Sequence, residues 1–199
     1  MLKGTLFILL PLLLTSCGTT AHLIEVGSDE ELTTISSIDP RDWQKAAADS
    51  IASLLESGML KRPDGRKNVV MISRIRNYTL QHLESRLLTA KMRQAILASG
   101  QAIVTSAIGN SSNVDLAVRR IRDKEYDDLF NQATVQKRGT VIGPDLSLSG
   151  SITQQTAVQG RTEESYFVFH LVLTDLKTGL ALWENNVEIA KQGTHSIFE

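Results

Sequence analysis

The sequence predicts an α/β (α+β) fold, a mixed sheet of about five strands that ends in an antiparallel meander, with helices packed on it. Three patterns predict it. A capped helical stripe follows Asp39-Pro40, and two short apolar, β-branched runs (Val69-Val70-Met71-Ile72 and Ala102-Ile103-Val104-Thr105) are separated by a helix-period segment. The C-terminal third then changes to strand alternation with short connections.

In chain order, Met1-Leu2-Lys3 and the apolar run from Leu6 to Leu14 come first. A bilayer span needs about 20 apolar residues. This run is far shorter and contains Pro11, so residues 1–16 read as an export signal. Leu14-Thr15-Ser16-Cys17 resembles the lipobox of bacterial lipoproteins. A thiol is required at that place because the sulfur takes a diacylglyceryl group before cleavage, and the freed amine then takes a further acyl chain. Two or more chains hold a protein durably on a bilayer. Cys17 is the only cysteine, so it has no disulfide partner within the chain. Gly18 follows it in place of the aspartate that tends to retain lipoproteins in the inner membrane, which points to the outer membrane. Residues 17–39 read as lipid anchor and tether, with Leu23-Ile24-Glu25-Val26 as a short strand candidate, and residues 40–199 as a single globular α/β domain.

The domain opens on Asp39 as N-cap, Pro40 in the first turn and a stripe of Trp43, Ala46, Ala47, Ile51, Leu54 and Leu55 that Gly58 closes. A second helix is expected over 81–99, with Leu88, Met92, Ala95 and Ile96 inward. A third is expected over 113–132, with Val114, Ala117, Val118 and Ile121 inward. Leu146, Leu148 and Ile152 alternate with serines and a threonine, as in a half-buried strand. The segment from Tyr166 to Leu173 is apolar on both faces, as a fully covered central strand would be. Leu176-Lys177-Thr178-Gly179 marks a turn, and Trp183, Val187 and Ile189 share one face of the last strand.

The composition is that of an ordinary globular domain, 42% hydrophobic and 22% charged. A net charge of −1 gives no electrostatic reason to expect nucleic acid. The four histidines, His22, His82, His170 and His195, lie far apart without zinc-type spacing, and no cofactor is expected. No nucleophile elbow, phosphate-cradling loop or Ser-x-x-Lys motif occurs. Asp123, Glu125, Asp127 and Asp128 are interleaved with Arg119, Arg120, Arg122 and Lys124, which suits a solvated helix face. Asn77-Tyr78-Thr79 reads as a turn and cap. These patterns point to a binding domain and not to an enzyme or a small-molecule substrate.

The lipobox, the segment Ile75-Arg76-Asn77-Tyr78-Thr79, the strand with Asp145 and Gly150, and the hairpin with Thr178-Gly179 and Trp183 together resemble the LpoB family. These are outer-membrane lipoproteins that activate class A penicillin-binding proteins, and the resemblance covers about residues 40–193. It implies a lipid-anchored, non-catalytic regulator of peptidoglycan synthesis whose partner is a bifunctional synthase in the inner membrane. It assigns no partner-binding residues. Enterobacterial members carry a long proline-rich segment between lipid and domain, and here that segment is short. The alternative is a structural, secretion-associated or flagellum-associated outer-membrane lipoprotein of the same fold.

Overall fold

The structure, a computed structural model of the chain, describes residues 35, 37–109 and 114–194. The signal segment, Cys17 and Leu23-Ile24-Glu25-Val26 fall outside the described residues.

Helix α1 (Pro40–Ser57) forms where the stripe predicts it. The Asp39 carboxylate accepts hydrogen bonds from the Arg41 and Asp42 amides at 3.0 and 3.2 Å, and Gly58 ends the helix at φ 71°. Helix α2 (Ser85–Ser99) begins four residues later than residue 81, the start expected from the sequence. Gln81 is engaged elsewhere. Its amide group clamps the Ile38 backbone from both sides, at 2.9 and 3.0 Å, while its own carbonyl accepts from Asn77 Nδ2 at 2.7 Å. Glu84 then caps α2 by accepting from the Arg86 amide.

The strands are β1 (Asn68–Tyr78), β2 (Ala102–Val104), β3 (Leu146–Gln159), β4 (Thr162–Asp175) and β5 (Ala181–Thr194). They form one five-stranded sheet in the order β2-β1-β3-β4-β5. The first two neighbour pairs are parallel, β1 with β2 and β1 with β3, because a helix or a long excursion separates the strands. The last three strands form the expected antiparallel meander, closed by short turns.

Both long helices pack on one face of this sheet, α1 over β4 and β5 and α2 over β1 and β2. Trp43 of α1 stands edge-on to Phe167 and Phe169 of β4, with ring centroids 6.4 and 6.2 Å away. Such aromatic pairs add about 0.5–1.5 kcal/mol beyond their buried area. Leu54, Met92, Ile96, Val70, Ile72, Leu148, Ile152, Leu171 and Leu173 complete the core. The other face of the sheet is only partly covered, contrary to the expectation for β4. Ser165, Phe167, Phe169, Leu171 and Leu173 are buried, but Tyr166, Val168, His170 and Val172 are half-exposed. The residues between are apolar enough to look central, yet among the described residues no helix packs over them.

The third helix is corrected by the structure. Over 114–132 the chain is helical only in a four-residue turn, α3 (Ala117–Arg120), followed by a 3-10 turn (Arg122–Lys124). Val118 and Ile121 are half-buried, Ala117 is exposed, and α3 buries nothing fully. A short apolar stripe without a surface to cover does not repay the entropy of a long helix. The carboxylates Asp115 and Asp127 bond to nearby backbone amides instead, a local alternative to the helix ladder.

Candidate functional site

Those residues of the sequence resemblance that the structure describes hold the fold together. Asp145 Oδ2 accepts from the Val69 amide at 2.8 Å, Oδ1 takes Arg62 Nη1 at 3.2 Å, and its backbone carbonyl receives the Leu176 amide at 2.9 Å. One residue thus ties β1, β3 and the β4–β5 turn together. In that turn Asp175 Oδ1 accepts from the Lys177 and Thr178 amides, and Gly179 takes φ 75°, which favours glycine. Asn77 Oδ1 accepts from the Thr79 amide and hydroxyl, so this segment is the expected turn, while the cap of α2 is Glu84. Trp183 packs half-buried against the core. His170 Nε2 lies 2.9 Å from Glu184 Oε1 on the open face.

The surface with the strongest claim to a partner is the excursion between β2 and β3, residues 105–145. Among the described residues it buries one apolar side chain, Val135. It exposes Leu116, Tyr126, Leu129, Phe130, Val141 and Ile142, with Tyr126 89% and Leu129 86% accessible. Bulky apolar groups concentrated on so few residues mark an interaction surface.

Their presentation is fixed by Gln132. Its Oε1 accepts from the Tyr126 amide at 2.9 Å, and its Nε2 donates to the carbonyls of Asp127 at 2.6 Å, Phe130 at 3.1 Å and Lys124 at 3.3 Å. The loop 124–130 is therefore wound around one side-chain amide. Tyr126 is the one described non-glycine residue with positive φ, at 74°. A side chain in that conformation costs about 1–3 kcal/mol, and such strain clusters at functional segments. Lys124 pairs with Asp127 at 3.0 Å and lies 5.6 Å above the Phe130 ring, and Asp127 is drawn below the usual carboxylate range by the Lys124 side chain. Arg122 donates to the Val118 carbonyl and to Thr140 Oγ1, which joins the two ends of the excursion. Arg119 and Arg120 are exposed without a carboxylate partner among the described residues.

The surface offers apolar and cationic contacts and no catalytic constellation. Among the described residues no group of three or more His, Cys, Asp or Glu side chains is placed to hold a metal. The acidic residues at 123–128 are paired or solvated, with Asp123 facing Arg138 at 3.6 Å.

The sequence profile described as "Peptidoglycan-synthase activator LpoB" matches residues 42–189, which is most of the chain. The chain belongs to the LpoB family. Among solved structures it is similar to the C-terminal domain of LpoB from Salmonella enterica, at 15% identity and a TM-score of 0.43, covering 74% of this chain and 98% of that one. The same domain from Escherichia coli is 14% identical with a TM-score of 0.43 and the same coverages, 74% and 98%. Lipoprotein GNA1162 from Neisseria meningitidis is 15% identical with a TM-score of 0.35, covering 66% of this chain and 88% of that one. No curated protein sequence matches.

As a member of the LpoB family, the chain is a non-catalytic outer-membrane lipoprotein that activates peptidoglycan synthesis. An activator works through a surface, and the exposed apolar groups of the excursion were not singled out at the level of sequence. Tyr126, Leu129 and Phe130 fall at the i, i+3, i+4 spacing of a helix, so with the mixed charges around them the segment read as part of a solvated helix. The usable signal was the crowding of bulky apolar residues in a segment too charged to be core.

Proposed function

We propose that the protein is held on the periplasmic side of the outer membrane by acyl chains on Cys17 and docks residues 105–145 on a class A penicillin-binding protein. The single observation that supports this reading is the Gln132-wound loop, which holds Tyr126 and Leu129 out to solvent at a cost in backbone strain. Aromatic and arginine side chains dominate binding energy at protein interfaces. The surface that fits is an apolar socket rimmed by carboxylates that face Arg119 and Arg120. Activation follows if the synthase conformation that binds the loop best is also the active one, since binding then shifts its population.

The anchor sets the reach. Residues 17–39, read as a tether, extend at most about 75 Å when fully drawn out. The partner's docking surface therefore stands within that distance, plus the width of the folded domain, of the outer membrane.

Surface plasmon resonance against a purified class A synthase tests the docking. Tyr126→Ala and Leu129→Ala each lower affinity by about tenfold or more, equivalent to about 1.4 kcal/mol. Unchanged affinity in both variants sinks the proposed surface. Mass spectrometry of the protein recovered from membranes tests the anchor. An unmodified Cys17 thiol, or a Cys17→Ala form that stays in the membrane fraction, refutes it.

A further inference from the structure

The face of the sheet that no described helix covers carries a groove of about 540 Å³. Its origin is a β-bulge. Ile72 pairs with Leu148 and Ile75 with Gly150, so Ser73 and Arg74 of β1 stand opposite Ser149 alone. The bulge shifts the alternation of β1, so that Ile72 and Ile75 both remain buried while Arg74 and Arg76 are exposed. Gly150 lets the strands close up beneath the groove, since a Cβ there would collide with the His170 carbonyl oxygen.

The groove is lined by Ser73, Arg74, Arg76, Tyr78, Ser149, Ser151 and His170. Ser73 and Ser147 share a hydrogen bond at 2.7 Å, and Arg76 Nη1 approaches the Tyr78 hydroxyl at 3.4 Å. Neither Arg74 nor Arg76 has a carboxylate partner among the described residues. Arg62 in the larger cleft, of about 670 Å³, differs: it is neutralised by Asp64 at 3.1 Å and Asp145 at 3.2 Å.

The register orders charge across this face. Arg76 lies beside Ser151, which pairs with His170 and then Asn186. Tyr78 lies beside Thr153, followed by Val168 and Glu188, and Ser149 leads through Val172 to Glu184. Two rows start on β1, at Arg76 and Tyr78, and the third at Ser149 opposite the bulge. All cross a hydroxyl on β3 and end on β5 at Asn186, Glu188 and Glu184, so the two arginines lie at one edge of the face and the two acids at the other. The Tyr166 hydroxyl is held to Glu188, which raises its pKa above the ordinary value, and His170 is held to Glu184. Three strand spacings separate the cationic and anionic ends, about 14 Å. An extended peptide of about four residues spans that distance.

We propose that this groove, together with the open face of β5 beside it, binds a short free peptide across the strands, its terminal carboxylate in the groove on Arg74 and Arg76 and its terminal amine beyond it toward Glu184 and Glu188. Ser149 and Ser151 supply hydroxyls along the path. The site is separate from the docking loop and does not depend on it.

The test uses the full-length chain in detergent micelles, with tetra-alanine as probe, read by calorimetry and by the backbone amide resonances of Ser149, Gly150 and Ser151. Tetra-alanine binds and moves those resonances. Its C-terminal amide loses at least about tenfold in affinity, and the Arg74→Gln/Arg76→Gln double variant loses as much toward the free acid. N-acetyl-tetra-alanine loses about threefold, and Glu188→Gln reproduces that smaller loss. Arg74, Arg76 and Glu188 are exposed, and unchanged circular dichroism of the variants establishes that the sheet is intact. The proposal is overturned if the resonances stay still, or if amide and acid bind alike. It is overturned equally if inorganic phosphate binds as tightly as the peptide, because the groove is then a plain anion site.

Discussion

Along β4 every second side chain from Ser165 to Leu173 is buried against α1 and the core, whereas residues 105–145 bury a single apolar side chain among those described. Both segments are rich in bulky residues. In β4 they alternate at the period of the pleat, so one helix-covered face takes Phe167, Phe169, Leu171 and Leu173. In the excursion they stay exposed, and polar side chains from Gln132, Asp127, Arg122 and Asp115 hold the chain in place. The sheet and its helices are stabilised by area removed from water, and the excursion by a few directed bonds around exposed apolar groups. The two regions therefore differ in how they fail.

The largest effect is expected in the sheet. Phe169→Ala removes a fully buried ring in edge contact with Trp43 and costs about 3–5 kcal/mol, lowering the denaturant midpoint of global unfolding. A loss below about 1 kcal/mol would mean that the core collapses into the space, which close packing against α1 opposes. Gln132→Ala, by contrast, removes four hydrogen bonds and leaves the core untouched. Global unfolding stays within about 0.5 kcal/mol, while hydrogen exchange of the Tyr126 and Phe130 amides speeds up by tenfold or more, on the order of 1–3 kcal/mol of local opening. If Gln132→Ala instead lowers the global midpoint as Phe169→Ala does, the separation of the two regions is wrong.

The same contrast explains what could be read from the sequence. Helix α1 and strands β3 to β5 were legible because cap, period and turn agree: Asp39 with Pro40, Gly58, the alternation from Leu146, and the turn at Thr178-Gly179. Strand β1 runs beyond the expected Val69–Ile72 to Tyr78, because the bulge at Ser73-Arg74 interrupts the alternation that marks a strand in the sequence. Helix α2 lost its first turn to Gln81, whose partner Ile38 is 43 residues away and invisible to any local window. The excursion was misread because the stripe Val114, Ala117, Val118, Ile121 satisfies helical spacing, while nothing in the chain told whether a surface lay beneath it. The loop 124–130 depends on one glutamine and one left-handed tyrosine, neither of which has a sequence signature.

Tyr126 separates stability from function within the excursion. Glycine adopts φ 74° freely, so Tyr126→Gly relieves strain and slows local hydrogen exchange by a factor corresponding to about 1 kcal/mol. The same substitution removes the exposed phenol and weakens capture of the synthase. Stability and binding then move in opposite directions. A variant that is both less protected and weaker in binding would show that the phenol, and not the backbone conformation, organises the loop.

The smallest effect returns to the helices, at a bond of the kind that holds the excursion. Glu84 caps α2, and hydrogen bonds from the Arg86 side chain and then its amide lower the carboxyl pKa from 4.5 to about 2. A depressed folded-state value means that the cap is fully effective above the ordinary carboxylate range and is lost as pH falls through about 2. Carbon-detected NMR of the Glu84 carboxyl therefore gives a midpoint near 2, and Arg86→Ala returns it toward 4.5. Because Leu88, Thr89, Met92 and Ile96 bury α2 against the sheet, Glu84→Gln shifts the global midpoint only slightly. An exposed side-chain cap is dispensable where packing carries the element. It becomes decisive where, as at Gln132, little else holds the chain. A large global loss in Glu84→Gln would erase that distinction and place α2 among the elements held by directed bonds.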